Sequence, residues 1–292
     1  MSAYRSAAGR RELEHLYDDA VDRLGVDVAE RRVDTRHGST HVLLAGAADA
    51  PPVVLFHGGN VTNPLTLAWY AGLADDYRLV APDTPGHPGK SAPTRLDPRG
   101  DGYGEWVADL LDAFGVDAAP VVGTSYGAGV ALRTAAVAPE RVARAALVVP
   151  AGFGTGPLLP LVGVGLPAVC YRLTAHDWFL DRTLAALATD PDPLVRATVG
   201  ASLRHARPDR TVPGADAADL RGFDAPVALF VATDDPFFPA DAVVPRARAR
   251  LRTLDRVELL DGERHLLSPA AQRRVVASLR TFLPDTDAET EG

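Results

Sequence analysis

Ser125 lies in Gly123-Thr-Ser-Tyr-Gly127, a serine with glycine two residues to either side, where the apolar pair Val121-Val122 gives way to small residues. A sharp strand-to-helix turn of this kind lifts a serine hydroxyl clear of a sheet edge. It needs glycine at 123 and 127, because a side chain at either place would strike the adjoining strand or helix. At neutral pH the hydroxyl is a poor nucleophile. It needs an imidazole to take its proton, and a carboxylate to orient the imidazole and stabilise its cation. His265, in Glu263-Arg-His-Leu-Leu267, follows the apolar run that ends at Leu260, and Asp234 and Asp235 follow the run that ends at Val231. Either carboxylate satisfies the Ser, acid, His order along the chain. A tetrahedral oxyanion also needs two backbone N–H donors. One is expected from Tyr126, the residue after the serine, and the other from Gly59, where the missing side chain lets backbone approach a substrate; Asn60 is the alternative. His57 reads as a turn residue bonding backbone beneath the site.

The elements that must position these groups alternate. An amphipathic helix over 11–24 precedes a hairpin of strands 28–35 and 40–45 joined by Arg36-His-Gly-Ser39. Val53-Val-Leu-Phe56 reads as a short strand buried on both faces, Arg78–Ala81 as a second strand, and the Val107, Leu110, Leu111, Phe114 pattern as the helix leading into the strand before Ser125. Further strands are expected at Ala145–Val149, Val227–Val231 and Val257–Leu260, with helices near 240–251 and 269–282. This alternation predicts an α/β fold, a doubly wound and mostly parallel sheet. The core is assigned to 1–150 and 213–284, an inserted cap to 151–212 and a disordered acidic tail to 285–292. The cap's apolar residues, among them Leu158, Leu159, Val162, Leu166, Tyr171 and Trp178, are expected to pack on the core or to line an acyl pocket.

Composition narrows the partners. The 292 residues carry a net charge of -8, which argues against nucleic acid or an anionic membrane surface. Cys170 is the only cysteine, so disulfide and zinc-thiolate chemistry are excluded within the chain, and a cytoplasmic location is expected. The N-terminal stretch has no apolar core of the secretory type. Between Ala145 and Tyr171 there is no charge, but Pro150, Pro157, Pro160 and Pro167 are expected to break it into pieces too short to span a bilayer. His37 and His41 stand too far apart on extended chain to share a metal, and no metal site is expected. Gly89-Lys-Ser91 lacks the upstream glycine of a phosphate loop and reads as a tight surface turn.

The segments Gly38-Ser-Thr-His-Val, Phe56-His-Gly-Gly-Asn, Asp83-Thr-Pro-Gly-His-Pro-Gly-Lys-Ser, Gly123-Thr-Ser-Tyr-Gly, Thr233-Asp-Asp-Pro-Phe-Phe-Pro and Arg264-His together resemble the α/β-hydrolase superfamily. The chain is similar to bacterial carboxylesterase-like serine hydrolases with a cap between the sixth and seventh strands. The resemblance implies Ser125 as nucleophile, Asp235 as acid and His265 as base. Local chemistry favours the same acid, since Pro236 holds Asp235 extended. Arg264 and Ala232 stand where the superfamily usually has glycine. The implied activity is hydrolysis of a small or medium uncharged ester through an acyl-enzyme, with no cofactor. Lactone hydrolysis, C–C bond hydrolysis and acyl transfer are alternatives on the same residues, as is a ligand-binding protein without turnover.

Overall fold

The computed structural model describes residues 3–189, 191–207 and 211–283. The tail expected to be disordered, 285–292, lies outside them. Helix α1 (Ala7–Asp22) leads into the hairpin β1 (Val28–Thr35) and β2 (Gly38–Ala45). Then β3 (Pro52–Phe56), α2 (Asn63–Tyr70), β4 (Arg78–Pro82), α3 (Gly102–Ala113), β5 (Ala119–Thr124), α4 (Tyr126–Val137) and β6 (Val142–Val148) alternate. Helices α5 (Leu158–Thr174), α6 (Asp177–Leu187) and α7 (Pro193–His205) fill the interval before β7 (Val227–Ala232), α8 (Ala240–Arg250), β8 (Leu254–Leu260) and α9 (Pro269–Phe282).

Among the described residues the strands form one sheet of order β1-β2-β4-β3-β5-β6-β7-β8. The β1–β2 and β2–β4 pairings are antiparallel, and every pairing from β4 through β8 is parallel. Strand residues alternate between two cores. Val54 and Phe56 join Trp106, Val107 and Val130 on one face, whereas Val53 and Leu55 join Leu67, Val275 and Leu279 on the other. Each such side chain contributes about 1.5–3 kcal/mol by leaving water. Because β4 lies on one side of β3 and β5 on the other, the chain reverses its winding there. The crevice beyond the C-terminal ends of β3 and β5 is where such sheets take ligands.

Two expectations are corrected here. Helix α1 begins four residues before the apolar periodicity, because Ser6 Oγ caps it by accepting the Gly9 N–H at 3.0 Å. The Gly89-Lys-Ser91 segment is no surface turn: residues 83–89 are buried, wrapped around the Asp83 carboxylate. Tyr17 hydroxyl donates to Asp83 Oδ1 at 2.9 Å and the Lys90 N–H to Oδ2 at 2.7 Å, while Ser91 Oγ donates to the Asp83 carbonyl at 2.7 Å. His41 Nδ1 lies 3.3 Å from Asp83 Oδ2, and its Nε2 lies 2.7 Å from Glu30 Oε2.

Burial opposes charge on both partners, but their mutual hydrogen bond and attraction win. The His41 pKa is held above its ordinary value and that of Asp83 below its own. The His41 contribution to stability is complete below the unfolded value of 6.5 and fades as pH rises through the higher folded one. The Asp83 contribution is complete above 3.8 and fades only as pH falls through the lower folded value. Asp83→Asn is therefore expected to cost about 3 kcal/mol near pH 5.5, where it leaves a buried imidazolium short of its partner. In urea titrations the gap from wild type should narrow toward pH 9. A gap of constant size would show that a charged pair is not what the substitution breaks.

Candidate active site

Ser125 occupies the single residue between β5 and α4, with φ 53° and ψ -114°. For a residue with a Cβ this backbone is strained, and the surroundings hold it in place. Its N–H donates to the Val148 carbonyl at 2.9 Å, and its carbonyl accepts from Ala128 at 2.9 Å and Ala151 at 3.1 Å. The flanking glycines are needed for the reason their spacing suggests: a Cβ at Gly127 would overlap the Phe56 carbonyl, and one at Gly123 the Gly127 carbonyl.

His265 reaches the serine from the loop after β8. Its Nε2 is 2.9 Å from Ser125 Oγ and its Nδ1 is 2.7 Å from Asp235 Oδ2. Asp235, 2% exposed, lies in the loop after β7. Its other oxygen, Oδ1, accepts the N–H groups of Phe237 at 2.8 Å and Phe238 at 3.1 Å, so the carboxylate is fixed at both oxygens. The rings of Phe237 and Phe238 stand 5.0 and 5.7 Å from the His265 ring, and Phe237 meets it edge to face. Asp234, by contrast, is exposed, and its N–H donates to the Glu263 carbonyl. This arrangement can pass a proton from the Ser125 hydroxyl to His265 while Asp235 holds the ring in one tautomer.

Gly59, in the loop after β3, lies against Tyr126, the first residue of α4. A Cβ at Gly59 would lie 3.3 Å from Tyr126 Cβ. Gly59 lines the cleft over Ser125, whereas Asn60 is exposed and does not. His57 lies beneath. Its Nδ1 is 2.8 Å from the Gly58 carbonyl and its Nε2 accepts the Thr84 N–H at 3.0 Å. Complete burial, helped by repulsion from His87, pushes its pKa down to about 4. A neutral ring bridging two loops supports the glycine turn.

The cleft itself departs from expectation. Among the described residues its walls are Leu65 and Trp69 of α2, Val149 after β6, Leu266, Leu267 and Gln272 around the start of α9, and Ala188, Thr189, Pro191, Asp192 and Val195 before and within α7. None of the apolar residues singled out on 158–179 lines it. Helix α5 also runs through Pro167 instead of breaking there. Three contributors escaped the sequence reading. Glu263 binds the Ser268 N–H and hydroxyl at 2.8 and 2.6 Å, closing the loop that carries His265. Arg264 Nη1 donates to the Ala185 carbonyl and, at 3.2 Å, to that of Ala188, while the Leu266 N–H reaches the Leu187 carbonyl at 2.9 Å. Arginine where the superfamily usually has glycine thus ties the histidine loop to the end of α6. Thr66 Oγ1 accepts the Gly58 N–H at 3.3 Å. A carboxylate five residues before the N-cap serine of α9 is the kind of signal that could have found Glu263; nothing local marks the others.

The family model for the alpha/beta hydrolase fold matches residues 51–198. Carboxylesterase YbfK of Bacillus subtilis (strain 168) is 33% identical over 139 residues, 46% of either chain. A 2-hydroxy-6-oxo-6-phenylhexa-2,4-dienoate hydrolase of Burkholderia cepacia is 32% identical over 130 residues, 43% of this chain and 45% of that one. The matches therefore span about half the length of these relatives. Over nearly the whole chain, the crystal structure of naproxen esterase (carboxylesterase NP) from Bacillus subtilis superposes with a TM-score of 0.82 at 21% identity, covering 95% of this chain and 99% of that one. With its elbow serine at the winding reversal of a mostly parallel sheet, the chain belongs to the alpha/beta hydrolase fold family.

Proposed function

We propose that the protein is a carboxylesterase acting on small or medium uncharged esters. Ser125 attacks the ester carbonyl, His265 takes its proton and delivers it to the leaving alcohol, and Asp235 orients and stabilises the imidazolium. The N–H groups of Gly59 and Tyr126 bind the oxyanion. Water then repeats the cycle on the acyl-enzyme, and no cofactor or metal takes part. Residues 151–212 act as a cap, of which Ala188, Thr189, Pro191, Asp192 and Val195 wall the cleft. The single cysteine supports a reducing, cytoplasmic setting.

The observation that carries this reading is the hydrogen-bonded series from Ser125 through His265 to Asp235 at the floor of a cleft with apolar walls. The charge of the cleft also supports ester over dienoate chemistry. Among the described residues that line it, the ionisable side chains are Asp192 and His265, with no lysine or arginine. A carboxylate-bearing substrate would meet no cation and one like charge, and desolvating an unpaired carboxylate is costly. A panel of 4-nitrophenyl esters of increasing acyl length, run beside a lactone and a dienoate, is expected to give saturable turnover of the short and medium esters and none of the dienoate. A fluorophosphonate should label Ser125 stoichiometrically. Turnover of the dienoate with the esters untouched would overturn the reading.

A further inference from the structure

Helix α5 presents an apolar face to the outside. At 3.6 residues per turn, Leu158, Leu159, Val162, Leu166, Val169 and Leu173 fall within an arc of about 100°. Each is between 43% and 82% exposed, and the opposite arc holds Val164 and Tyr171, which are buried against the rest of the chain. A surface helix normally turns polar residues outward. Trp178, at the start of α6 and 56% exposed, extends the patch across the groove between α5 and α6. Among the described residues, Gly163 and Gly165, near either side of the arc, have nothing within 4 Å of where a Cβ would stand. Glycine inside a helix costs about 1 kcal/mol relative to alanine, and no contact among the described residues uses the space it leaves.

We propose that this face docks on the same face of a second copy of the chain, giving a two-fold dimer. Area is the first argument. Those six side chains and Trp178 expose roughly 800 Å², above the roughly 300–600 Å² of the largest patch on an ordinary monomer and equal to the roughly 800 Å² per partner of a standard interface. Charge is the second. Helix α5 carries one charged residue, Arg172, so the face would bury little charge against its copy, while Asp177 and Asp181 of α6 are already paired with Arg196 of α7. A lipid surface fits less well: α5 carries a single basic residue, Arg172, where a basic amphipathic helix has many, and the whole chain carries -8. Gly163 and Gly165 then allow close approach of the partner's backbone.

Sedimentation of the full chain between about 1 and 50 µM is expected to give twice the 30.8 kDa of one chain. Leu159→Glu and, separately, Leu166→Glu should raise the dimer dissociation constant by at least about a hundredfold, because the two-fold axis sets a pair of carboxylates in an apolar contact. Neither side chain reaches the Ser125 cleft, so retained ester turnover and far-UV circular dichroism serve as the check on folding. The wild-type measurement stands even if a variant fails that check. A wild-type monomer at 50 µM would overturn the proposal, as would folded variants that remain dimeric. Co-sedimentation of a monomeric wild type with phosphatidylcholine vesicles would overturn it in favour of a lipid surface.

Discussion

Ser125→Ala is expected to lower ester kcat by up to roughly a millionfold, because the three residues work as a unit and removal of the nucleophile leaves His265 and Asp235 with no bond to make. What remains is the modest acceleration from oxyanion binding and substrate positioning. The fold should survive, since the Ser125 side chain contributes one hydrogen bond, to His265, and its backbone contacts to Val148, Ala128 and Ala151 do not involve the hydroxyl. The variant keeps the positive φ of the elbow, which alanine tolerates no worse than serine. Purified Ser125→Ala is to be assayed on the best ester of the panel, with active-site titration to exclude wild-type carry-over. More than a tenth of wild-type kcat would remove the covalent mechanism and leave direct attack by water as the simplest replacement.

The second large effect is expected at Asp235. Asp235→Asn should reduce kcat by something on the order of ten-thousandfold, because an amide in place of the carboxylate favours the wrong imidazole tautomer and no longer stabilises the imidazolium. Geometry makes the contrast with its neighbour sharp. Asp235 is buried, bonded through Oδ2 to His265 and through Oδ1 to two backbone N–H groups, whereas the Asp234 side chain is exposed. Asp234→Asn is expected to stay within about tenfold of wild type, an exposed substitution away from the chemistry. Both variants should be measured at one pH with the same ester. The reverse ranking would move the acid to Asp234, and two mild effects would mean that the histidine is oriented by another group.

What could be read along the chain was whatever local backbone demands. The elbow is legible because a serine at positive φ between strand and helix leaves no room for a Cβ at 123 or 127, and glycine is the visible trace of that exclusion. Likewise the Asp235-Pro236 pair and the short apolar runs ending at Phe56, Val149 and Val231 announce loops at the C-terminal edge of a parallel sheet. From these, the Ser, acid, His order and the α/β class followed without coordinates.

The walls of the cleft were not legible, and the reason is physical. Trp69, Val195 and Gln272 belong to three helices far apart in sequence, and an apolar residue that packs is the same residue that lines. The apolar run from Leu158 onward advertised burial, but which face was covered depended on what α5 packs against; folding covered the arc of Val164 and Tyr171 and left the opposite leucines outside. The Gly89-Lys-Ser91 turn was misplaced for a related reason, since its burial comes from Tyr17 and His41 converging on Asp83 from distant elements. Sequence by itself determined the turn at Ser125, the candidate nucleophile, acid and base and the class of sheet, because each is imposed within a few residues by sterics or side-chain period. Only tertiary structure decided that residues 140 positions apart would meet at 2.9 Å, which surfaces would wall the cleft and which would face outward, because those depend on long-range packing that no local pattern encodes.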